Sequence, residues 1–235
     1  MSYRVTQEDI LSIPADAAAV GLEMTMRVAA GPSCQRIADA GGEALRAAVR
    51  RVRFIPLGSA AEAEVSGLPF RYLLLTGEPR WLNGKCNELL VLHRCYESVF
   101  SLAESLGCKS LVMPFLSALY FHFPKVDAVH IALAEAENAG LEVIFVADTP
   151  ELLALSERPY RKPEIVSYVG YYGDHALFEL DNGLFARVDL RPEVTEVSVI
   201  PYFEACYRTG NNPLQPLLPD AEVARLRRIY EESVL

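Results

Sequence analysis

The strongest constraint on this chain is a unit that occurs twice: an amphipathic helical stretch, a glycine, then a short run with no polar face. Over residues 87–107, Leu89, Leu92, Cys95, Tyr96, Val99, Leu102, Ala103 and Leu106 recur on one face of a helical period. Gly107 is placed to end that helix as its C′ residue. Ser110-Leu111-Val112-Met113 follows and is stopped by Pro114. The order then returns. Residues 126–139 put Val129, Ala132, Leu133 and Ala136 on one helix face, Gly140 follows as the cap, and residues 141–147 form a second apolar run. A strand that is apolar on both sides must be covered on both sides. The pattern therefore predicts a largely parallel sheet between layers of helix.

The upstream residues fit the same plan. Residues 3–5 read as a short strand, 15–20 and 71–76 as buried strands, and 60–66 as a weakly alternating edge strand. A helix is expected from Ser33, as N-cap, through Ile37, interrupted at Gly41-Gly42 and resumed over residues 43–51. After a charged, proline-bounded linker at residues 157–163 the texture changes to alternating runs at 165–172, 175–180 and 184–190. Asp181-Asn182-Gly183 stands between the last two, a strong hairpin signal. Residues 197–203 add a further strand. Asp220 is placed to N-cap a helix carrying Val223, Leu226, Ile229 and Tyr230. The expected organisation is an α/β domain over residues 1–157 and a small β-plus-helix module over 158–235. A module of that size buries little core alone and is expected to pack on the first domain.

Composition bounds the function. With 51% hydrophobic and 23% charged residues the balance is globular, and a net charge of −9 argues against nucleic acid or an anionic membrane as partner. The five cysteines form no Cys-x-x-Cys pair, which gives no disulfide framework and no zinc signature. Reduced thiols in a cytoplasmic protein are expected, and neither a signal peptide nor a membrane span is legible. Gly41-Gly42 has no third spaced glycine, so the dinucleotide fingerprint is absent and no cofactor or metal is expected.

One stretch carries a family pattern. Residues 114–124, Pro-Phe-Leu-Ser-Ala-Leu-Tyr-Phe-His-Phe-Pro, resemble the phosphate-binding loop of macro domains, Pro-Ala-Ile-Ser-Thr-Gly-Ile-Tyr-Gly-Tyr-Pro. Both prolines, the serine and an aromatic agree; the two glycines are replaced by Leu119 and His122. Five more segments agree in order and spacing over roughly residues 3–150. Gln7-Glu8-Asp9-Ile10 resembles the Gly-Asp-Ile turn, whose aspartate accepts a hydrogen bond from the adenine amino group. Residues 15–19 resemble the strand Val-Asp-Ala-Ile-Val. Residues 72–81, Tyr-Leu-Leu-Leu-Thr-Gly-Glu-Pro-Arg-Trp, are similar to Tyr-Ile-Ile-His-Thr-Val-Gly-Pro-x-Trp. Residues 89–107, with Cys95-Tyr96, resemble the helix before the phosphate loop, and residues 37–45 the helix after the first glycine-rich loop. The resemblance implies a three-layer α/β/α sandwich with a mixed sheet, to which the C-terminal hairpin and helix are appended, and an ADP-ribose-like nucleotide as ligand.

It also implies a site. Asp9 and Ile10 fall on the adenine turn, Gly31 and Ser33 on the first loop, and Ser117, Ala118, Leu119, Tyr120 and Phe121 on the second. The departures matter equally. The family's Asn-Ala-Ala-Asn falls on Val20-Gly21-Leu22-Glu23, and its Gly-Gly-Gly-Val-Asp loop falls near residues 29–33, where Gly31 alone survives. The asparagines and the aspartate of the de-ADP-ribosylating members are therefore missing. Glu23 and His122 are the candidates for a replacement base, set against the plainer readings of a charged loop residue and a loop histidine. Three functions stay open: a binding module of weakened affinity for the nucleotide or another small anion, an ADP-ribosyl hydrolase with a non-standard base, and a scaffold whose cleft is plugged by Leu119 and Phe121. In the last case a protein partner would bind through the C-terminal module.

Overall fold

The computed structural model describes residues 3–23, 26–29, 31–82, 86–119, 123–158, 162–181, 184–195, 197–201 and 218–233. It divides into two compact units, residues 1–81 with 88–160, and residues 82–87 with 161–235.

In the first unit, strands β1 (Tyr3–Thr6), β2 (Ala17–Leu22), β3 (Ala60–Ala63), β4 (Tyr72–Gly77), β5 (Ser110–Pro114) and β6 (Glu142–Val146) form one sheet in the order β1-β6-β5-β2-β4-β3. All neighbours are parallel except β3, which lies antiparallel on β4 at the edge. The sheet is thus mixed. The run 110–113 occupies an interior position between β6 and β2, as its two apolar faces require.

The pleat sorts side chains between two layers. Ala18, Val20, Leu22, Leu73, Leu75, Val112, Ile144 and Val146 share a core with Ile37, Leu45, Ala48 and Val49 of α1 (Pro32–Val52). On the opposite face Phe145 meets Tyr96 of α2 (Glu88–Ser105) edge-on at 6.1 Å, and α2 packs on α3 (Lys125–Asn138). A short helix α4 (Pro150–Ser156) closes the unit, capped by Thr149. No helix among the described residues is long and apolar enough to cross a membrane.

Helix ends correct three sequence expectations. Ser33 is not the N-cap of α1; Gly31 is, with Pro32 first in the helix, where its missing N–H costs nothing. Gly42 breaks the helix with φ 48°, as its sequence suggests. Gly107 adopts φ 74° and ends α2, but α3 ends in extended Ala139, and the Gly140 N–H is taken by Glu104 at 2.7 Å.

The second unit is an antiparallel sheet, β10-β9-β8-β7, from β7 (Ile165–Tyr172), β8 (His175–Leu180), β9 (Leu184–Asp189) and β10 (Val197–Pro201). The β8–β9 pair brackets the expected turn, whose Asn182 and Gly183 lie outside the described residues. Helix α5 (Asp220–Glu232) packs on β9 and buries Leu226 and Tyr230. Its N-cap is Pro219 rather than Asp220, which instead puts its charge in the first turn. Lys162 donates to the carbonyl oxygens of Tyr230 and, at 2.6 Å, Ser233, satisfying that helix's last carbonyls.

Candidate functional site

The parallel strands β2, β4, β5 and β6 bring their carboxyl ends to one edge of the sheet, the edge where open α/β sheets bind ligands. Five pieces of chain meet there: Gly21–Glu23 at the end of β2, Gly31–Ser33 at the start of α1, Glu78 after β4, residues 114–119 from the end of β5, and Asp148 after β6.

Glu78 is the centre of this edge. The residue is 2% exposed. Its Oε2 accepts the Ser117 backbone N–H at 2.7 Å and the Ser117 hydroxyl at 3.0 Å. Ser117 holds φ 60°, a left-handed conformation uncommon for a residue with a Cβ. That turn aims its N–H back toward β4. Burial pushes the Glu78 carboxyl up to about 7, against the two Ser117 hydrogen bonds that favour the charged form, and the Glu23 charge adds to the rise. Gly21 gives the side chain its room: a Cβ there would lie 1.4 Å from Glu78 Oε1.

A parallel arrangement stands beside it. Asp148 Oδ1 accepts the Ser33 backbone N–H at 3.0 Å and also the Ser33 hydroxyl. Desolvation raises the Asp148 carboxyl. Gly31, with φ 143°, is the tight corner before it; a Cβ would come to 3.3 Å from Asp148 Oδ2. The Cys34 thiol feels both carboxylates, and burial pushes it up as well. Between these groups lies a cavity of about 10 Å³, lined by Cys34, Glu78, Pro114, Phe115, Ser117, Leu119 and Asp148. That is room for about one water.

The other expected site residues distribute as follows. Asp9 caps a 3₁₀ turn at Ile10–Ser12 by accepting the Leu11 N–H at 3.1 Å, and its second oxygen is held by Arg36. The Arg36 guanidinium draws the Asp9 carboxyl below its usual range. Ile10 is 1% exposed and belongs to the core. Ala118 is buried, and Leu119 lines the cavity half-buried. The Leu116 N–H is taken by the buried Tyr96 hydroxyl at 2.8 Å, which fixes the loop from below. Glu23 is half-buried at the end of β2, in a turn closed by its backbone N–H to the Arg27 carbonyl. Tyr120, Phe121 and His122 lie outside the described residues. Among the described residues no three His, Cys, Asp or Glu are grouped to hold a metal ion.

Sequence reasoning missed Glu78 and Asp148. A signal existed for the first: residue 78 stands where the resembling segment has glycine, and Gly21 stands where the asparagine motif has alanine. The two substitutions are reciprocal, one side chain lost where another arrives.

The comparisons with known proteins agree with this frame. The family model of the macro domain matches residues 17–132. An O-acetyl-ADP-ribose deacetylase 1 of Pantoea vagans is 32% identical over 147 residues, 59% of this chain and 85% of that protein. A macro domain-containing protein of Lactiplantibacillus plantarum is 32% identical over 158 residues, 67% of this chain and 91% of that protein. Among solved structures, the Oceanobacillus iheyensis macrodomain with ADP superposes with a TM-score of 0.60 at 20% identity, over 66% of this chain and 87% of that one. The Trypanosoma brucei macrodomain in complex with ADP-ribose superposes with 0.57 at 22% identity, over 66% of this chain and 67% of that one. On relatives at this identity, covered over most of their length, the chain belongs to the macro domain family.

Proposed function

We propose that this protein is a binding module for an ADP-ribose-like nucleotide, with weakened affinity, whose diphosphate lies between the start of α1 and the loop after β5. The observation that carries the reading is the pairing of Ser33 and Ser117. From two separate elements each gives a backbone N–H and a hydroxyl to a carboxylate that lines one cavity, the donor set a diphosphate needs. Macrodomain relatives solved with ADP and ADP-ribose support the ligand class. Weakening follows from three internal partners that a ligand must displace: Asp148 on Ser33, Glu78 on Ser117 and Arg36 on Asp9. Titration calorimetry with ADP-ribose, with ADP as competitor, tests the reading. Saturable one-site heat displaced by ADP is expected; no heat at any ligand concentration would overturn it.

The size of the cavity favours a second reading, a closed scaffold that holds no nucleotide and works through protein contacts, with the C-terminal module as the partner surface. The same titration separates the two.

A further inference from the structure

Glu78 is an expensive residue to keep where it is. A buried carboxylate is normally matched by a cation. The groups that face this one are Glu23 from the end of β2, Cys34 from α1, Cys95 and Tyr96 from α2, Ser117 from the loop after β5, and Asp148 across the cavity. Among these described residues none is a cation, and two are acids. Among the described residues, the carboxylate's hydrogen bonds come from Ser117 alone. Glu78 is also a long side chain in a slot that exists only because residue 21 has none. What the charge does is fill the N–H and hydroxyl donors of Ser117, as Asp148 fills those of Ser33.

We propose that Glu78 is the specificity-determining residue of this site: its carboxylate occupies the anion position at Ser117, and a phosphate-bearing ligand enters only by displacing it. The proposal rests on the nucleotide reading above and adds to it the basis of selection. A ligand phosphate must remove a like charge from the donors it needs, and must then share the cavity with Asp148. The exclusion is lifted when Glu78 is neutral, because a carboxylic acid competes poorly for N–H donors and does not repel the ligand. With the Glu78 carboxyl near 7, the competent form is about one tenth of the protein at about pH 8 and about nine tenths at about pH 6. The diphosphate diester of ADP-ribose carries no proton that titrates in that window, so the protein sets any change.

The test is calorimetric titration of the full chain with ADP-ribose at about pH 6 and about pH 8, repeated with Glu78→Gln. Gln fills the same volume and still accepts the Ser117 N–H through its amide oxygen. The wild-type protein is expected to bind about tenfold more tightly at the lower pH. The variant is expected to bind about tenfold more tightly than wild type at the higher pH, with an affinity flat across the window. Wild type and variant binding equally, with no pH dependence, would overturn the role of Glu78 and leave the nucleotide reading standing. A pH dependence that persists in Glu78→Gln would overturn it too, by placing the titrating group elsewhere. No binding by either protein at either pH would overturn the nucleotide reading and this inference together. If the variant does not fold, the wild-type pH profile decides: a flat one overturns the proposal.

Discussion

Two carboxylates do the same job at opposite ends of the central strands, and their environments give them opposite characters. Asp16, just before β2, accepts the Lys109 N–H at 2.6 Å and the Ser110 N–H at 3.2 Å, and its carbonyl takes the N–H groups of Arg71 and Tyr72. It stitches the starts of β2, β4 and β5 together. Glu78, just after β4, accepts the Ser117 N–H beyond β5. Both bonds favour a charged carboxylate. At Asp16 they prevail, and the Lys109 hydrogen bond leads in lowering the carboxyl; at Glu78 burial prevails and raises it. The hydrogen bond alone does not decide whether a carboxylate stabilises a fold. Access to water does. The amino end of the sheet keeps a solvated clasp, and the carboxyl end keeps a charge the fold would sooner lose.

The largest test of that contrast is pH. The Glu78 carboxyl rises from 4.5 unfolded to about 7 folded. A raised carboxyl means the folded state binds the extra proton. Its stability contribution is therefore complete below about 4.5 and is lost as pH rises through about 7. Glu78→Gln should melt like wild type near the lower limit and should be more stable by about 3 kcal/mol at about pH 8. Thermal unfolding across that range measures it. A variant less stable than wild type at alkaline pH would mean that the buried charge holds the fold together.

Next in size is Gly21→Ala. A methyl placed against Glu78 Oε1 should cost about 1–3 kcal/mol in chemical denaturation. The same change in a Glu78→Gly background should cost little, so the double-mutant cycle should show coupling. Equal costs in the two backgrounds would separate the residues. Tyr96→Phe comes third: the buried Leu116 N–H loses its acceptor, a loss of about 1–3 kcal/mol. It should also loosen the loop, seen as faster hydrogen exchange at Leu116 and Ser117. The smallest effect is expected at Asp16, which water screens. Its lowered carboxyl contributes above its unfolded value and loses that contribution as pH falls through the folded one. Asp16→Asn should therefore lower the melting temperature at neutral pH and converge with wild type in acid, the reverse of Glu78→Gln. If both substitutions shift stability in the same direction, the comparison fails.

Much of the fold was legible because burial leaves a period. The helical face from Leu89 to Leu106 and the two-sided apolar run at 110–113 fix α2 and β5, and with them the interior of the sheet. The antiparallel β3 was readable only as an edge, since Ala60–Ala63 alternates weakly and direction leaves no mark in composition. At the site, the phosphate-type loop was legible in its prolines and serine. The occupant of that loop was not. A glutamate between a strand and a proline reads as a solvated turn residue, and only its approach to Gly21 shows that it points inward. Ser33 was misjudged for a related reason. Its hydroxyl suits an N-cap, but Pro32 had already set the start of the helix, and that hydroxyl went to Asp148.

The slot at Gly21 also constrains history. With alanine at residue 21, glutamate at 78 must move its side chain from the position it holds. A lineage arriving at this pair one substitution at a time has one comfortable order: the side chain at 21 is lost first and the glutamate follows. The return path is equally narrow. Once Glu78 is in place, a side chain at residue 21 carries the cost of displacing it. The pair is sterically coupled, and the substitution that relieves the constraint at residue 21 is one at residue 78.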